Sequence, residues 1–130
     1  SNEIFKFSRR EGKNNIYCIY ENFDKKRFFN SSQNGRHCAF NINTNKNTVE
    51  IRVFRGTLNI NRFIASLQFC DALANFIKIT SGSFFVTNVF SEKILWEEFL
   101  DFTKRMGHYN HFIKYIELIN NGKINLEGEI

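Results

Sequence analysis

The sequence NRFIASLQFCDALANFI, residues Asn61 to Ile77, decides the fold because its apolar side chains recur at steps of three and four. This spacing is typical of the buried face of an α-helix. The predicted buried face consists of Phe63, Ile64, Leu67, Cys70, Leu73, Ala74 and Ile77. A second apolar side consists of Phe69, Ala72 and Phe76. We therefore expect a central helix that neighbouring elements cover on much of its circumference.

Two further helices are predicted on the C-terminal side of the central helix. Ser91 can cap the first through its hydroxyl, and Glu92 is favourable in its first turn. Its apolar stripe consists of Leu95, Trp96, Phe99, Leu100 and Phe102. The second follows Gly107 and ends at Asn121-Gly122, two residues that tolerate positive φ. Its apolar residues at helical spacing are Phe112, Tyr115, Ile116 and Ile119.

Short β-prone runs precede the central helix. They are Asn15 to Tyr20, Arg36 to Asn43 and Thr48 to Phe54. The third run alternates, so Val49, Ile51 and Val53 share one face, and Glu50, Arg52 and Phe54 share the other. We expect Cys38 to Ile42 and Val49 to Val53 to pair as an antiparallel hairpin. The predicted class is α+β, with a small antiparallel sheet packed against a buried central helix and two further C-terminal helices.

The composition indicates one folded domain over residues 1–130, located in the cytoplasm. The chain is 42% hydrophobic and holds 16 phenylalanines, which supply bulk for a core. Cys18, Cys38 and Cys70 are an odd number, which favours buried reduced thiols over a disulfide framework. No apolar run approaches the roughly 18 residues that span a bilayer. We therefore expect no membrane among the partners.

The aromatic residues and the net charge of +5 raise nucleic-acid binding as an alternative. A base-stacking platform is conceivable from Phe5, Phe7, Phe28, Phe29, Phe84, Phe85 and Phe90, with lysines and arginines interspersed. Core packing is favoured for these rings, because the charge excess is small and no basic recognition helix is present. We therefore do not expect nucleic acid as a partner.

The segment TVEIRVFRGTLN, Thr48 to Asn59, combines an acid, two arginines and a glycine. A carboxylate beside a guanidinium on a strand is most often a structural ion pair. The functional alternative is that Glu50 holds a divalent cation, while Arg52 and Arg55 bind phosphate or carboxylate. Gly56 would let the backbone approach a ligand. A metal site needs further acids, from distant residues or from an upstream segment.

Histidines give a weaker candidate site. His108 and His111 have i,i+3 spacing, but no cysteine or acidic triad lies near them, so a surface position is favoured. His37 and Cys38 are adjacent on a predicted strand and point to opposite faces, which excludes a thiol–imidazole pair.

A family resemblance covers residues 36–120. The motifs RHCAFN at Arg36–Asn41 and TVEIRVFRGTL at Thr48–Leu58, followed by an apolar helix, resemble the C-terminal part of the amidoligase family. LWEEFLDF at Leu95–Phe102 and the helix from Tyr109 to Ile119 look like the tail of that family. The resemblance implies a partial glutamine-synthetase-like fold. It also implies that the chain is the C-terminal region of a longer protein, with which the tag-like start Ser1-Asn2 agrees.

The resemblance implies an ATP-dependent carboxylate–amine ligase that forms amide or isopeptide bonds through an acyl phosphate. Glu50 is then a Mg²⁺ ligand, and Arg52 with Arg55 serves catalysis. The residues expected to contact substrate or phosphate are Arg36, Asn41, Arg52 and Gly56. The implied cofactors are Mg²⁺ and ATP, and the substrates are peptide or amino-acid-like carboxylates and amines.

The expected partner of this region is the upstream part of the same protein, without which we expect no activity. Where that part is absent, a homodimer is predicted to cover the apolar sheet face. The alternative function is a non-catalytic interaction module of a phage or mobile element that binds a protein or nucleic acid.

Overall fold

The computed structural model describes residues 7, 40–43, 46–80 and 92–123. Two strands, β1 (Phe40–Asn43) and β2 (Thr48–Ile51), precede three helices. The helices are α1 (Ile60–Ile79), α2 (Glu92–Met106) and α3 (Asn110–Asn120). Within these described ranges no helix is both long and apolar enough to cross a membrane. The coarse class is α+β, with helix predominating.

The predicted hairpin is confirmed, and its second strand is shorter than predicted. β1 and β2 pair antiparallel, with Phe40 opposite Ile51 and Asn43 opposite Thr48. In the connecting turn Asn47 has a φ of 51°, a left-handed conformation that asparagine tolerates. The predicted strand at residues 15–20 lies outside the described residues.

The segment that follows β2 joins the hairpin to the helices, and the predicted packing of the sheet on the central helix stays a prediction. Extensive contacts among the described elements join helix to helix and strand to strand. Along β2, Val49 is 63% exposed, Ile51 is half-buried and Val53 is 0% exposed. The next residue, Phe54, packs against the aromatic core. Regular alternation stops after Ile51 because two consecutive side chains, at 53 and 54, are both drawn inward.

Asn59 caps the start of α1. Its side-chain oxygen accepts a hydrogen bond from the Arg62 amide at 3.1 Å, while the Asn59 amide donates to Thr57 Oγ1 at 3.1 Å. At the other end Thr80 donates its amide and its hydroxyl to the carbonyl of Phe76. The helix predicted from about residue 61 is therefore confirmed.

The buried face of α1 differs from the predicted one. Its buried residues are Arg62, Ala65, Phe69 and Ala72. Three members of the predicted face are about half exposed: Phe63 at 50%, Leu67 at 54% and Ile77 at 51%. The prediction was wrong because α1 is apolar on both sides, so spacing alone does not select the side that is covered. The covered side carries two alanines, at 65 and 72, which allow close approach of neighbouring elements.

Aromatic rings form the core between the helices. The Phe69 ring lies 5.5 Å from Phe54, 5.7 Å from Phe99 and 5.6 Å from Phe112, centroid to centroid. Phe7 lies 5.0 Å from Phe112, which confirms its predicted place in a core. These four contacts have edge-to-face geometry, which the quadrupoles of aromatic rings favour. The other rings considered for base stacking lie outside the described residues.

The predicted apolar stripes of α2 and α3 are confirmed. In α2, Phe99 and Phe102 are buried, and Leu95, Trp96 and Leu100 are partly buried. In α3, Phe112, Tyr115 and Ile116 are buried, and Ile119 is partly buried. The predicted cap Ser91 lies outside the described residues.

Glycines shape the junction and the end of the last two helices. Gly107, between α2 and α3, has a φ of 75°, and Gly122, after α3, has a φ of 63°. The Gly122 amide donates to the Ile119 carbonyl and the Lys123 amide donates to the Leu118 carbonyl, both at 3.0 Å. This is a Schellman motif, and it confirms the predicted end of the helix at Asn121-Gly122.

A side chain from α1 supports the start of α3. Gln68 Oε1 accepts a hydrogen bond from the Phe112 amide at 3.0 Å, and Gln68 Nε2 donates to the His108 carbonyl at 3.4 Å. The N-cap residue of α3, Tyr109, makes no side-chain capping bond of its own. Gln68 thus satisfies one of the amides that a helix leaves unpaired at its start.

Phe69→Ala is expected to lower the free energy of unfolding by about 3–5 kcal/mol, because it opens a cavity where three helices meet. Phe69→Leu, which keeps most of the volume, should lose less than half as much. Urea titration followed by circular dichroism measures both. Equal losses for the two variants would contradict the central position of this ring.

Gln68→Leu is expected to cost about 1 kcal/mol of stability, because the Phe112 amide loses its acceptor. Gln68→Glu keeps an acceptor and adds a negative charge near the start of α3, so it should retain most of the stability above the carboxyl pKa of about 4.3. Urea titrations at pH 7 and at about pH 3.5 compare the two variants. If Gln68→Leu and Gln68→Glu lose the same stability at pH 7, the Gln68 side chain does not act as a cap.

Candidate functional site

Glu50 and Arg52 lie together at the base of the hairpin. Arg52 Nε is 3.8 Å from Glu50 Oε1, and the two side chains are 31% and 48% exposed for Arg52 and Glu50, respectively. That distance exceeds a hydrogen bond. An exposed pair of this kind contributes at most about 1 kcal/mol, so exchanging it for a ligand costs little. A carboxylate and a guanidinium are therefore both within reach of solvent, side by side.

The strand register adds a third predicted residue to this region. Asn41 is the β1 residue opposite Glu50. Directly opposed residues of an antiparallel pair are neighbours in the ladder, so the backbone of residue 41 lies next to that of Glu50. Arg36, the other residue predicted on this strand, lies outside the described residues, as do His37 and Cys38.

Arg55 and Gly56 occupy the irregular segment between β2 and α1, and both are exposed. A Cβ built on Gly56 would meet no atom within 4 Å. The space in the Cβ direction of Gly56 is therefore open. The hairpin base thus brings Glu50, Arg52 and Arg55 within six residues of chain, directly before the rigid start of α1.

The described residues do not complete a metal site. Across residues 46–80 and 92–123, no group of three or more His, Cys, Asp or Glu side chains is placed to hold a metal ion. Asp71, the next acid after Glu50, accepts hydrogen bonds within the helical part. A cation at Glu50 would need ligands from elsewhere in the protein.

A hydrogen-bonded cluster on α1 and α3 was not predicted from the sequence. The Tyr109 hydroxyl donates to Asp71 Oδ2 at 2.9 Å, and Asn75 Nδ2 donates to the Tyr109 oxygen at 3.0 Å and to Asp71 Oδ2 at 3.1 Å. The i,i+4 spacing of Asp71 and Asn75 is the signal that places them on one helix face. Tyr109 comes from a distant position, which local spacing does not reveal.

Burial raises the pKa of the Tyr109 hydroxyl, and the Asp71 carboxylate raises this pKa further. The hydrogen bond donated by Asn75 opposes the shift, because it stabilises the phenolate. The cluster therefore keeps the Tyr109 phenol protonated, and the phenol donates its hydrogen bond to the Asp71 carboxylate. A protonated, hydrogen-bonded phenol is suited to a structural role, which here is to hold the start of α3 against α1.

Histidines 108 and 111 are exposed, which confirms their predicted surface position. His108 Nδ1 lies 3.1 Å from the Met106 carbonyl, and its ring is 4.2 Å from the Tyr109 ring. Cys70 carries a free, partly buried thiol whose pKa is raised by burial. The prediction of a reduced thiol is confirmed for Cys70, and Cys18 lies outside the described residues.

Searches of protein-family models, curated proteins and solved structures found no match to this chain.

Tyr109→Phe is expected to lower stability by about 1–3 kcal/mol at pH 8, because a hydrogen bond to a carboxylate is lost. Above about pH 10 the unfolded native chain loses the phenol proton, whereas the folded chain keeps it. Unfolding then releases a proton, so the native protein loses stability as the pH rises, and the variant loses less. Urea titrations at about pH 8 and pH 11 should show the gap between the two proteins narrowing. A constant gap would exclude this linkage.

Proposed function

We propose that this chain is the C-terminal part of a cytoplasmic, ATP-dependent carboxylate–amine ligase similar to the amidoligases. The observation that carries the proposal is the open juxtaposition of Glu50 and Arg52, 3.8 Å apart and both reachable from solvent. An exposed pair at this distance contributes little to stability. Its carboxylate is suited to a cation and its guanidinium to an anion.

The proposed chemistry has two steps. A substrate carboxylate oxygen attacks the γ-phosphorus of ATP, which forms an acyl phosphate and releases ADP. An amine nitrogen then attacks the acyl carbon, an amide forms, and phosphate and a proton leave. Negative charge accumulates on phosphoryl oxygens in the first step and on the tetrahedral oxygen in the second.

Each residue of the hairpin base has a role in this proposal. Arg52 binds the phosphoryl or acyl oxygens through its planar fork of donors, and Arg55 adds positive charge at the same end of the hairpin. Glu50 would supply one oxygen ligand to Mg²⁺, whose positive charge would offset the negative charge of the phosphate groups. Asn41 and Arg36 contact substrate or phosphate from β1 and the chain before it, and the Gly56 backbone lies against the ligand.

The remaining metal ligands are proposed to come from the upstream part of the protein. The described residues supply one acid at the hairpin base, and a Mg²⁺ site draws on several oxygens. The region described here is then one wall of the active site, and the peptide or amino-acid-like substrates bind between this wall and the upstream part.

An interaction module is the alternative function, and the exposed apolar side chains of α1 favour it. Phe63, Leu67 and Ile77 are each about half exposed. An apolar surface of this kind fits a protein partner better than a nucleic acid, whose backbone calls for positive charge. A module of this kind would bind no nucleotide in the full-length protein.

The ligase proposal predicts distinct effects for Glu50 and Arg52 in calorimetric titrations of the full-length protein with ATP. With Mg²⁺ present, Glu50→Ala and Arg52→Ala should each weaken binding by about 10- to 100-fold, as expected for loss of a charge-assisted contact. Without Mg²⁺, Arg52→Ala should still weaken binding, whereas Glu50→Ala should not, because its carboxylate acts through the metal.

Two controls sharpen this test. Lys114→Ala removes an exposed positive charge from α3 and should leave binding unchanged. Arg52→Lys keeps the charge but loses the planar guanidinium group, so its affinity for ATP should lie between those of the native protein and Arg52→Ala. Equal ATP binding by all the proteins, or none by the native protein, would exclude the proposal.

A further inference from the structure

α1 carries a second apolar face, which we call the α1 seam. Its members are Ile60, Phe63, Leu67, Cys70, Ala74 and Ile77. They are separated by alternating steps of three and four, which is the a and d pattern of a coiled coil. At about 100° per residue the seam lies roughly 150° around the helix from the buried Ala65, Phe69 and Ala72. The seam therefore faces away from the core that α2 and α3 share, except at Cys70, which is partly buried and packs against that core.

Apart from the partly buried Cys70, the α1 seam is open to solvent. Ile60 is 64% exposed, Phe63 50%, Leu67 54% and Ile77 51%, and Ala74 is also exposed. By contrast, α2 and α3 each bury a single apolar stripe, so a second exposed stripe is a property of α1 alone among the described helices.

The size of this surface matches half of a dimer interface. The four large seam side chains that are at least half exposed, together with exposed Ala74, leave on the order of 500 Å² of apolar surface, near the upper end for a monomer. A standard interface buries about 800 Å² per partner, of which somewhat over half is apolar. One copy of the seam thus offers the apolar share that a second copy requires.

We propose that two copies of this chain associate through the α1 seam, with their α1 helices antiparallel about a twofold axis. In this arrangement Ile60 packs against the partner's Ile77, Phe63 against the partner's Ala74, and Leu67 against the partner's Cys70. The proposal is independent of the ligase function, since no seam residue belongs to the hairpin base.

The order of large and small residues selects the antiparallel arrangement. Antiparallel pairing places the largest seam residue, Phe63, opposite the smallest, Ala74, so each layer has a similar volume. A parallel pair would place two Phe63 rings together and two Ala74 methyl groups together, which overfills one layer and leaves a hole in another. Cores lose stability from both faults. The antiparallel pair also sets the two helix dipoles in opposition.

Sedimentation velocity of the full chain over about 1–100 µM tests the association, a range in which a micromolar dimer dissociates. The native protein should form a dimer. Leu67→Lys places two charges in the interface and should raise the dissociation constant by about 100-fold or more. Met106→Lys changes a side chain of comparable exposure, 41%, at the end of α2 and should leave the constant unchanged.

Circular dichroism confirms that each variant remains folded. A native protein that stays monomeric over the whole range would overturn the proposal, because the seam would then be covered by another part of the chain or by a different protein. Dimerisation unaffected by Leu67→Lys would overturn it as well.

A double-mutant cycle tests the antiparallel layers without a charged substitution. Phe63→Ala and Ala74→Phe should each weaken the dimer, and the double variant restores the large–small layer. It should therefore dimerise at least about 10-fold more tightly than the two single effects predict together. Within one helix these positions are about 16 Å apart, too far to couple directly. Additive effects would overturn the antiparallel pairing.

Discussion

The fold depends on the burial of Phe69 among other aromatic rings. Its side chain has no exposed surface, and its ring meets rings from α2, from α3 and from the segment after β2. Rings fill large volumes with few rotatable bonds, so a short chain rich in phenylalanine can reach the density of a protein interior. Ala65 and Ala72 flank Phe69 with no exposed surface and let the neighbours come close. The side of α1 that carries these three residues thereby fixes where α2 and α3 lie.

The accessibility of the candidate site follows from how the hairpin joins this core. A two-stranded sheet is marginal by itself in water, so the hairpin needs an attachment. Buried Val53 and the core-packed Phe54 provide it, immediately after the strand. Glu50 and Arg52 lie just before that attachment, close enough to be held in place and still exposed. Binding groups positioned in this way lose less conformational entropy when they bind a ligand.

Helix positions could be predicted from the sequence, because they depend on local signals: the three- and four-residue spacing and the glycine at 122. The choice between two apolar faces of α1 could not, because it depends on which side the other helices cover. The burial of Arg62 could not be predicted either, because a charged residue usually indicates an exposed position. Its Cζ lies 5.0 Å from the centroid of the Tyr115 ring. The Glu50 and Arg52 pair was predictable from period-two alternation. The contacts of Gln68 with Phe112 and of Asp71 with Tyr109 were not, since these partners lie more than 35 residues away.

Asp71 connects the two sides of α1. Its exposed carboxylate lies beside the α1 seam, one residue after Cys70, and it accepts the hydrogen bond from Tyr109 that ties α1 to α3. A hydrogen bond to a charged acceptor strengthens when water is removed from around it, provided that the acceptor keeps its partners. Asp71 has two such partners, the Tyr109 hydroxyl and the Asn75 amide. Covering the seam would therefore lower the local dielectric at a carboxylate that is already hydrogen-bonded, and the contact between α1 and α3 would become stronger. In the proposed dimer, association at the seam and stability of the helical core would be coupled through the Asp71 side chain.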